Sequence, residues 1–372
     1  MSLNDPNEAR ERLKLLKAQP EKFLFGLRRV SEEVVMALAT PMVKDGLMGK
    51  ESAQAHTIIS DIPGTGKTAL LGCLSGAIEA KLGRIDGRPD LMPSDFTGRE
   101  ERDKFTGIRT LLKGPLHSNI FFNDESNRIP PKSQSLMLGA MEGGKVYMNV
   151  TNEKEGRIES KPFPLYPISE DPNETRLFFI VFATMNPIEF EGTYPLSEAQ
   201  IERFTYRLTM GFPSKEEEKM IRSKNVMGKK IEVVMNLGEL LDIQQMVSQI
   251  ELSNEAVELR QRYLENSRPF AHDERVFGRV NEKRCATKKL INFVNEYVVS
   301  GCSPRRNFHM EAAAKAHAFM RGEDRVATVD DIKAIAHITM EHVIQLDPRS
   351  IGDNIDTKKV VEKIIEETPP VP

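Results

Sequence analysis

The segment Ile62-Pro63-Gly64-Thr65-Gly66-Lys67-Thr68 constrains this chain more than any other, because of what flanks it. Before it runs HTIIS (56–60), a short apolar stretch; after it, TALLGCLSGAIEAKL carries helical spacing. A glycine-rich turn between a strand and a helix is the context in which such a sequence forms a phosphate-binding loop. Backbone N–H groups of the turn and of the helix N-terminus converge on a phosphate, and the helix dipole favours its charge. In this reading Pro63, Gly64, Thr65, Gly66, Lys67, Thr68 and Ala69 cradle a nucleoside triphosphate such as ATP. Lys67 neutralises β- and γ-phosphate charge, and the Thr68 hydroxyl ligates Mg²⁺. The motif ordinarily begins with glycine, where this chain has Asp61. Aspartate tolerates turn geometry, but a carboxylate beside a triphosphate is electrostatically unfavourable.

Two further apolar runs, NIFFND (119–124) and LFFIVFAT (177–184), are also continuous rather than alternating. Such runs fit strands of a parallel sheet covered on both faces. Helical patterns lie between them, and PPKSQSLMLGAMEGG stops at Gly143–Gly144, residues suited to a helix end. The alternation predicts a doubly wound α/β domain. Residues 84–114 and 146–176 are too long for simple turns and are expected to form inserts. After Phe212–Pro213 the pattern turns helical, which predicts a smaller all-helical domain over about 214–345. A helical extension over 1–28 and a terminal amphipathic helix with a frayed tail over 346–372 complete the division.

Asp124 and Glu125 follow the second apolar run. Acids at the carboxyl end of a parallel strand lie where such sheets bind ligands. Asp124 is suited to hold Mg²⁺ directly or through water, and Glu125 to orient and polarise an attacking water.

Several longer strings resemble the MoxR family of AAA+ ATPases. They are RIDGRPDLMPSDFTG, GPLHSNIFFNDESNRIPPKSQSLMLGAMEGGKV, FATMNPIEFEGTYPLSEAQIERF and GCSPRRNFHMEAAAKAHAFMRGEDRVATVDDI, and the likeness spans about residues 30–345. The resemblance implies an ATP- and Mg²⁺-dependent ATPase core with a helical lid, working as a ring of six subunits. It implies that Asn186 is sensor 1 and that Arg203 is a finger reaching a neighbour's γ-phosphate, with Arg207 a nearby competitor. It implies that Arg305 is sensor 2, with Arg306 adjacent. The two inserts correspond to the family's helix-2 insert and pre-sensor-1 hairpin, which face a central pore. A protein client, and a separate partner bearing a von Willebrand factor A domain, are implied in the same way. The chain departs from the family at Arg29-Val30-Ser31-Glu32-Glu33, where Gly-Gln-Glu is usual, and in a long second insert carrying PISEDPNET.

Composition narrows the remaining classes. A net charge of −3 and a pI near 6.2 give no overall electrostatic footprint for nucleic acid, which disfavours a DNA motor. The three cysteines are widely separated and read as reduced thiols, and no histidine or cysteine spacing suggests zinc. No apolar run approaches the ~18 residues of a membrane span, and the N-terminus carries no apolar signal core, so a cytoplasmic protein is expected. Two alternatives stay open at this point. One is the ATPase subunit of a metal-insertion complex resembling magnesium chelatase; the other is a nucleotide-sensing scaffold that barely hydrolyses ATP.

Overall fold

The computed structural model describes residues 3–43, 52–60, 65–151, 157–165, 178–185, 193–211, 213–223, 230–269 and 285–371. By contacts the chain divides into two compact units, residues 1–197 with 208–244, and residues 198–207 with 245–372.

The first unit is built on a sheet of β3 (Thr57–Ser60), β4 (Leu82–Asp86), β7 (Ile120–Asp124), β10 (Ile180–Met185) and β11 (Tyr206–Thr209), the unit boundary falling inside β11. The order across the sheet is β11-β3-β10-β7-β4, and the pairs β3/β10, β10/β7 and β7/β4 are parallel. The three inner strands are the three continuous apolar runs of the sequence, and their residues are buried almost throughout. Both faces are therefore covered, as a parallel sheet requires. The doubly wound α/β core with a helical second unit is the fold expected from the sequence.

Around the sheet lie α1 (Pro6–Glu21), α2 (Arg28–Ala39), α3 (Lys67–Ala77) and α5 (Pro131–Gly143), with the short α4 (Pro93–Thr97) between the last two. Asp5 caps α1 through the Asn7 amide, and α5 ends where Gly144 turns left-handed at φ +58°. A short antiparallel pair, β1 (Pro41–Val43) with β2 (Ser52–Gln54), precedes β3.

Both expected inserts contain antiparallel hairpins, β5 (Gly98–Arg102) with β6 (Arg109–Lys113), and β8 (Lys145–Thr151) with β9 (Ile158–Pro164). The first insert begins later than residue 84, because 84–86 belong to the core strand β4. The segment PISEDPNET lies outside the described residues.

Sequence placed the change of domain at 213–214, yet the first unit keeps residues up to Gln244. That stretch carries α7 (Lys215–Ser223) and most of α8 (Leu237–Ser248). Gln244 on α8 donates to the Leu38 carbonyl at 2.7 Å, and the Val234 amide donates to Ala77 O at 2.8 Å. Helical spacing reveals a helix but not which core it covers.

The second unit holds the short α6 (Glu198–Ile201), then α9 (Asn254–Asn266), α10 (Lys288–Tyr297), α11 (Arg306–Arg321), α12 (Val329–Met340), α13 (Arg349–Gly352) and α14 (Thr357–Glu367). Two-residue and three-residue ladders join β12 (Glu251–Leu252) to β14 (Val326–Ala327) and β13 (Val298–Ser300) to β15 (Gln345–Leu346). The tail expected to fray is held: Arg262 donates to the carbonyls of Pro369 and Pro370 at 3.0 and 2.9 Å. Val360, Val361 and Ile364 of α14 are fully buried. Among the described residues no helix is long and apolar enough to cross a membrane.

Candidate active site

Register brings the candidate residues of the first unit to one edge of the sheet. Ser60 pairs with Met185, Ala183 with Asn123, and Asp86 with Asp124. The carboxyl ends of β3, β10, β7 and β4 are therefore level, each about 4.8 Å from the next. The last residue of β3 and the acids at the end of β7 lie at this edge, where parallel α/β sheets bind their ligands.

At the turn, Gly66 caps α3 with φ +89°, a left-handed conformation that L side chains adopt with strain. Lys67 and Thr68 follow in the first helical turn, half-exposed, and Ala69 is exposed. The Thr65 hydroxyl lies 3.7 Å from the Met210 sulfur. Asp61, Pro63, Gly64 and Asn186 lie outside the described residues.

The acids are held from both neighbouring strands. Thr184 on β10 donates its hydroxyl to Asp124 Oδ1 at 2.6 Å, and Thr184 Oγ1 in turn accepts the Glu125 amide at 2.8 Å. From β4, Arg84 Nη2 reaches Asp124 Oδ2 at 3.3 Å and Asp86 Oδ1 at 2.6 Å. Its guanidinium sits 5.7 Å from the Phe122 ring centroid, within reach of a cation–π contact. Glu125 adopts φ +51° and ψ +51°, and its Oε2 lies 3.2 Å from Arg128 Nε.

Gly87 packs directly beneath this turn. Its amide donates to Asp124 O at 2.8 Å, and a Cβ there would stand 2.1 Å from the Glu125 carbonyl oxygen. Only glycine leaves the turn where it is. Two motif blocks are tied together alongside: Gln134 Nε2 donates to Ser126 O at 3.2 Å and Tyr194 O at 3.4 Å, and the Tyr194 amide donates to Asn127 O at 2.5 Å.

The donor set fits a magnesium nucleotide. A carboxylate and a hydroxyl are hard oxygen donors, and Mg²⁺ is usually held by one or two carboxylates with the rest supplied by phosphates and water. Among the described residues no cluster of three or more His, Cys, Asp or Glu forms a closed protein cage.

In the second unit the two adjacent arginines separate. Arg306 is fully buried: Nη1 donates to Phe204 O at 2.8 Å and Nη2 pairs with Glu202 Oε2 at 3.3 Å. Burial lowers its pKa, and Glu202 opposes that shift. Ser303 also donates to Glu202 at 2.9 Å, and His342 Nε2 lies 3.0 Å from Phe204 O. Burial, then the Arg306 charge, push His342 well below the ordinary 6.5. Arg305, one residue earlier, is exposed. Arg203 is partly exposed and donates to the Ala199 carbonyl, while Arg207 has its pKa lowered by burial against the opposing pull of Glu341.

Sequence reading missed Thr184, Arg84, Gly87 and Arg128. All four stand inside the motif strings RIDGRPD, DESNR and FATMN; strand register brings Thr184, Arg84 and Gly87 to the acids, and Arg128 meets Glu125 three residues along the chain.

Residues 56–164 and 166–206 match the ATPase family associated with various cellular activities (AAA), and residues 292–364 match the AAA lid domain. An uncharacterized protein YeaC of Bacillus subtilis is 32% identical over 84% of this chain and 84% of its own length. The chaperone MoxR1 of Mycobacterium tuberculosis is 29% identical over 93% of this chain and 81% of its own. A crystal structure of a putative ATPase from Cytophaga hutchinsonii superposes with TM-score 0.76 at 24% identity, covering 99% of this chain and 97% of that one, a likeness of fold.

Proposed function

Because the chain belongs to the MoxR family of AAA ATPases and is an ATP hydrolase, we propose that it works as a homo-oligomeric ring that spends ATP to remodel or mature a protein client. The observation that carries this reading is the hydroxyl-bridged Asp124–Glu125 pair, level with the strand that leads into the phosphate loop. Lys67 neutralises the terminal phosphates, and Thr68 with Asp124 holds Mg²⁺, which when bound supplies charge neutralisation at the transferring phosphate. Glu125 orients the attacking water and draws on its proton. Asn186, Arg203 and Arg305 keep the sensor 1, finger and sensor 2 roles that the family gives to these positions. The fully buried Arg306 supports choosing Arg305 for the last role.

Supporting the client reading, a relative is named a chaperone. The two hairpins are the client-facing elements in this proposal, and a partner with a von Willebrand factor A domain is encoded elsewhere. The protein acts in the cytoplasm, and a net charge of −3 speaks against nucleic acid as the client.

Ligand bound only by the assembled form stabilises assembly by mass action. Light scattering on Glu125→Gln is therefore expected to give a larger mass with ATP and Mg²⁺ than without nucleotide. An unchanged mass, with the native chain still hydrolysing ATP at the same specific rate on dilution, overturns the ring.

A further inference from the structure

We propose that Thr184 is a positioning residue that makes the metal-holding carboxylate and the water-orienting carboxylate act as one unit. The inference rests on the roles proposed above for Asp124 and Glu125.

Its basis is one buried hydroxyl with two partners. Thr184 is 1% exposed, and its Oγ1 donates to Asp124 Oδ1 at 2.6 Å while accepting the Glu125 amide at 2.8 Å. A hydroxyl has one proton and two lone pairs, so this double duty uses its donor and an acceptor together. Parallel pairing of Ala183 with Asn123 sets the next residues, Thr184 and Asp124, side by side.

Each bond has a distinct consequence. The bond to Oδ1 fixes the rotation of the Asp124 carboxyl, so Oδ2 is the oxygen turned toward Arg84. The bond from the Glu125 amide holds a non-glycine residue at φ +51°, a strained conformation that persists only where surroundings hold it. From β4's side the Gly87 amide bonds the Asp124 carbonyl, and the backbones approach so closely that an added Cβ would meet the Glu125 carbonyl. Outer groups that orient a ligating carboxylate typically change metal affinity or activity by about 10- to 100-fold when removed.

The test compares Thr184→Val, which keeps shape but loses both bonds, with Thr184→Ser, which keeps the hydroxyl. Binding of a fluorescent, non-hydrolysable ATP analogue is measured in EDTA and across a Mg²⁺ titration, with turnover measured separately. For Thr184→Val the Mg²⁺-dependent gain in affinity is expected to fall about 10-fold and kcat by at least about 10-fold, with the EDTA affinity unchanged. Thr184→Ser is expected to restore both. A merely structural role would weaken EDTA binding as well, and that outcome overturns the inference. So does a Thr184→Val chain that matches the native one in Mg²⁺ response and turnover. Asp124→Asn and Glu125→Gln, run alongside, separate the two claims. If they too leave Mg²⁺ response and turnover intact, the underlying site assignment fails; if they abolish them while Thr184→Val does not, only the positioning role fails.

Discussion

In the proposed mechanism Lys67 and Glu125 do different work, and their substitution should separate binding from chemistry. Lys67 stands in the first turn after the left-handed Gly66, and in the proposed mechanism its charge meets phosphate, so Lys67→Ala should lose ATP binding in a fluorescence titration. Glu125→Gln keeps shape and every phosphate contact but cannot draw on a proton. It should bind ATP normally and lose at least about 100-fold in turnover. Near-native turnover by Glu125→Gln would move the base elsewhere. At this scale the groups proposed to carry the chemistry were legible in sequence, because Lys67, Thr68, Asp124 and Glu125 sit in short contiguous motifs. It did not show Thr184 or Arg84, whose partnership with Asp124 spans 60 and 40 residues and exists only through strand pairing. Nor did it separate Arg305 from Arg306, since two adjacent arginines look alike until burial distinguishes them.

Edge strands explain which elements were hidden. The inner strands β3, β7 and β10 are buried on both faces and read as continuous apolar runs, whereas β4 and β11 close the two edges of the sheet. Leu82–Asp86 alternates buried and exposed positions and carries two charges, so it resembles a loop entering an insert. Among the helices of the second unit, α11 is anchored at its start by Arg306, and the charge there is uncompensated if Glu202 is lost. Arg306→Met leaves the Phe204 carbonyl and the partly exposed Glu202 without their donor and should lower stability to urea by about 1–3 kcal/mol. Arg305→Met should stay within about 0.5 kcal/mol of the native chain and reveal itself in hydrolysis instead. If Arg305→Met unfolds the chain and Arg306→Met does not, the two assignments exchange.

His342, beside the same pair, adds a pH dependence with a definite sign. Its folded pKa is depressed, so between that value and 6.5 the unfolded chain binds more protons and stability rises with pH. This contribution is complete above 6.5 and is lost progressively on acidification. Urea midpoints should fall from pH 7.5 toward pH 5, and His342→Gln, which does not titrate, should flatten that decline. An identical decline in both chains would place the effect on other groups.

For the whole molecule, the organisation into an α/β unit and a helical unit was legible, because strand and helix periodicities differ over long windows. The boundary was not, since a helix after a composition change can still cover the first core, as residues 208–244 do. Function at this scale depends on whether active sites are shared. A finger arginine works only on a neighbour's nucleotide, and repeated head-to-tail contacts close into rings. Arg203→Ala should then bind ATP yet lose most hydrolysis, and Glu125→Gln should do likewise for a different reason. Mixing the two inactive variants tests the claim most directly. In mixed rings some interfaces join an intact Glu125 to an intact Arg203, and ATP turnover should rise well above either variant alone, peaking near equal proportions. If the variants co-assemble, as seen by pulldown of differently tagged chains, and turnover stays at the level of the separate variants, Arg203 does not act across a subunit boundary and the shared-site ring is wrong.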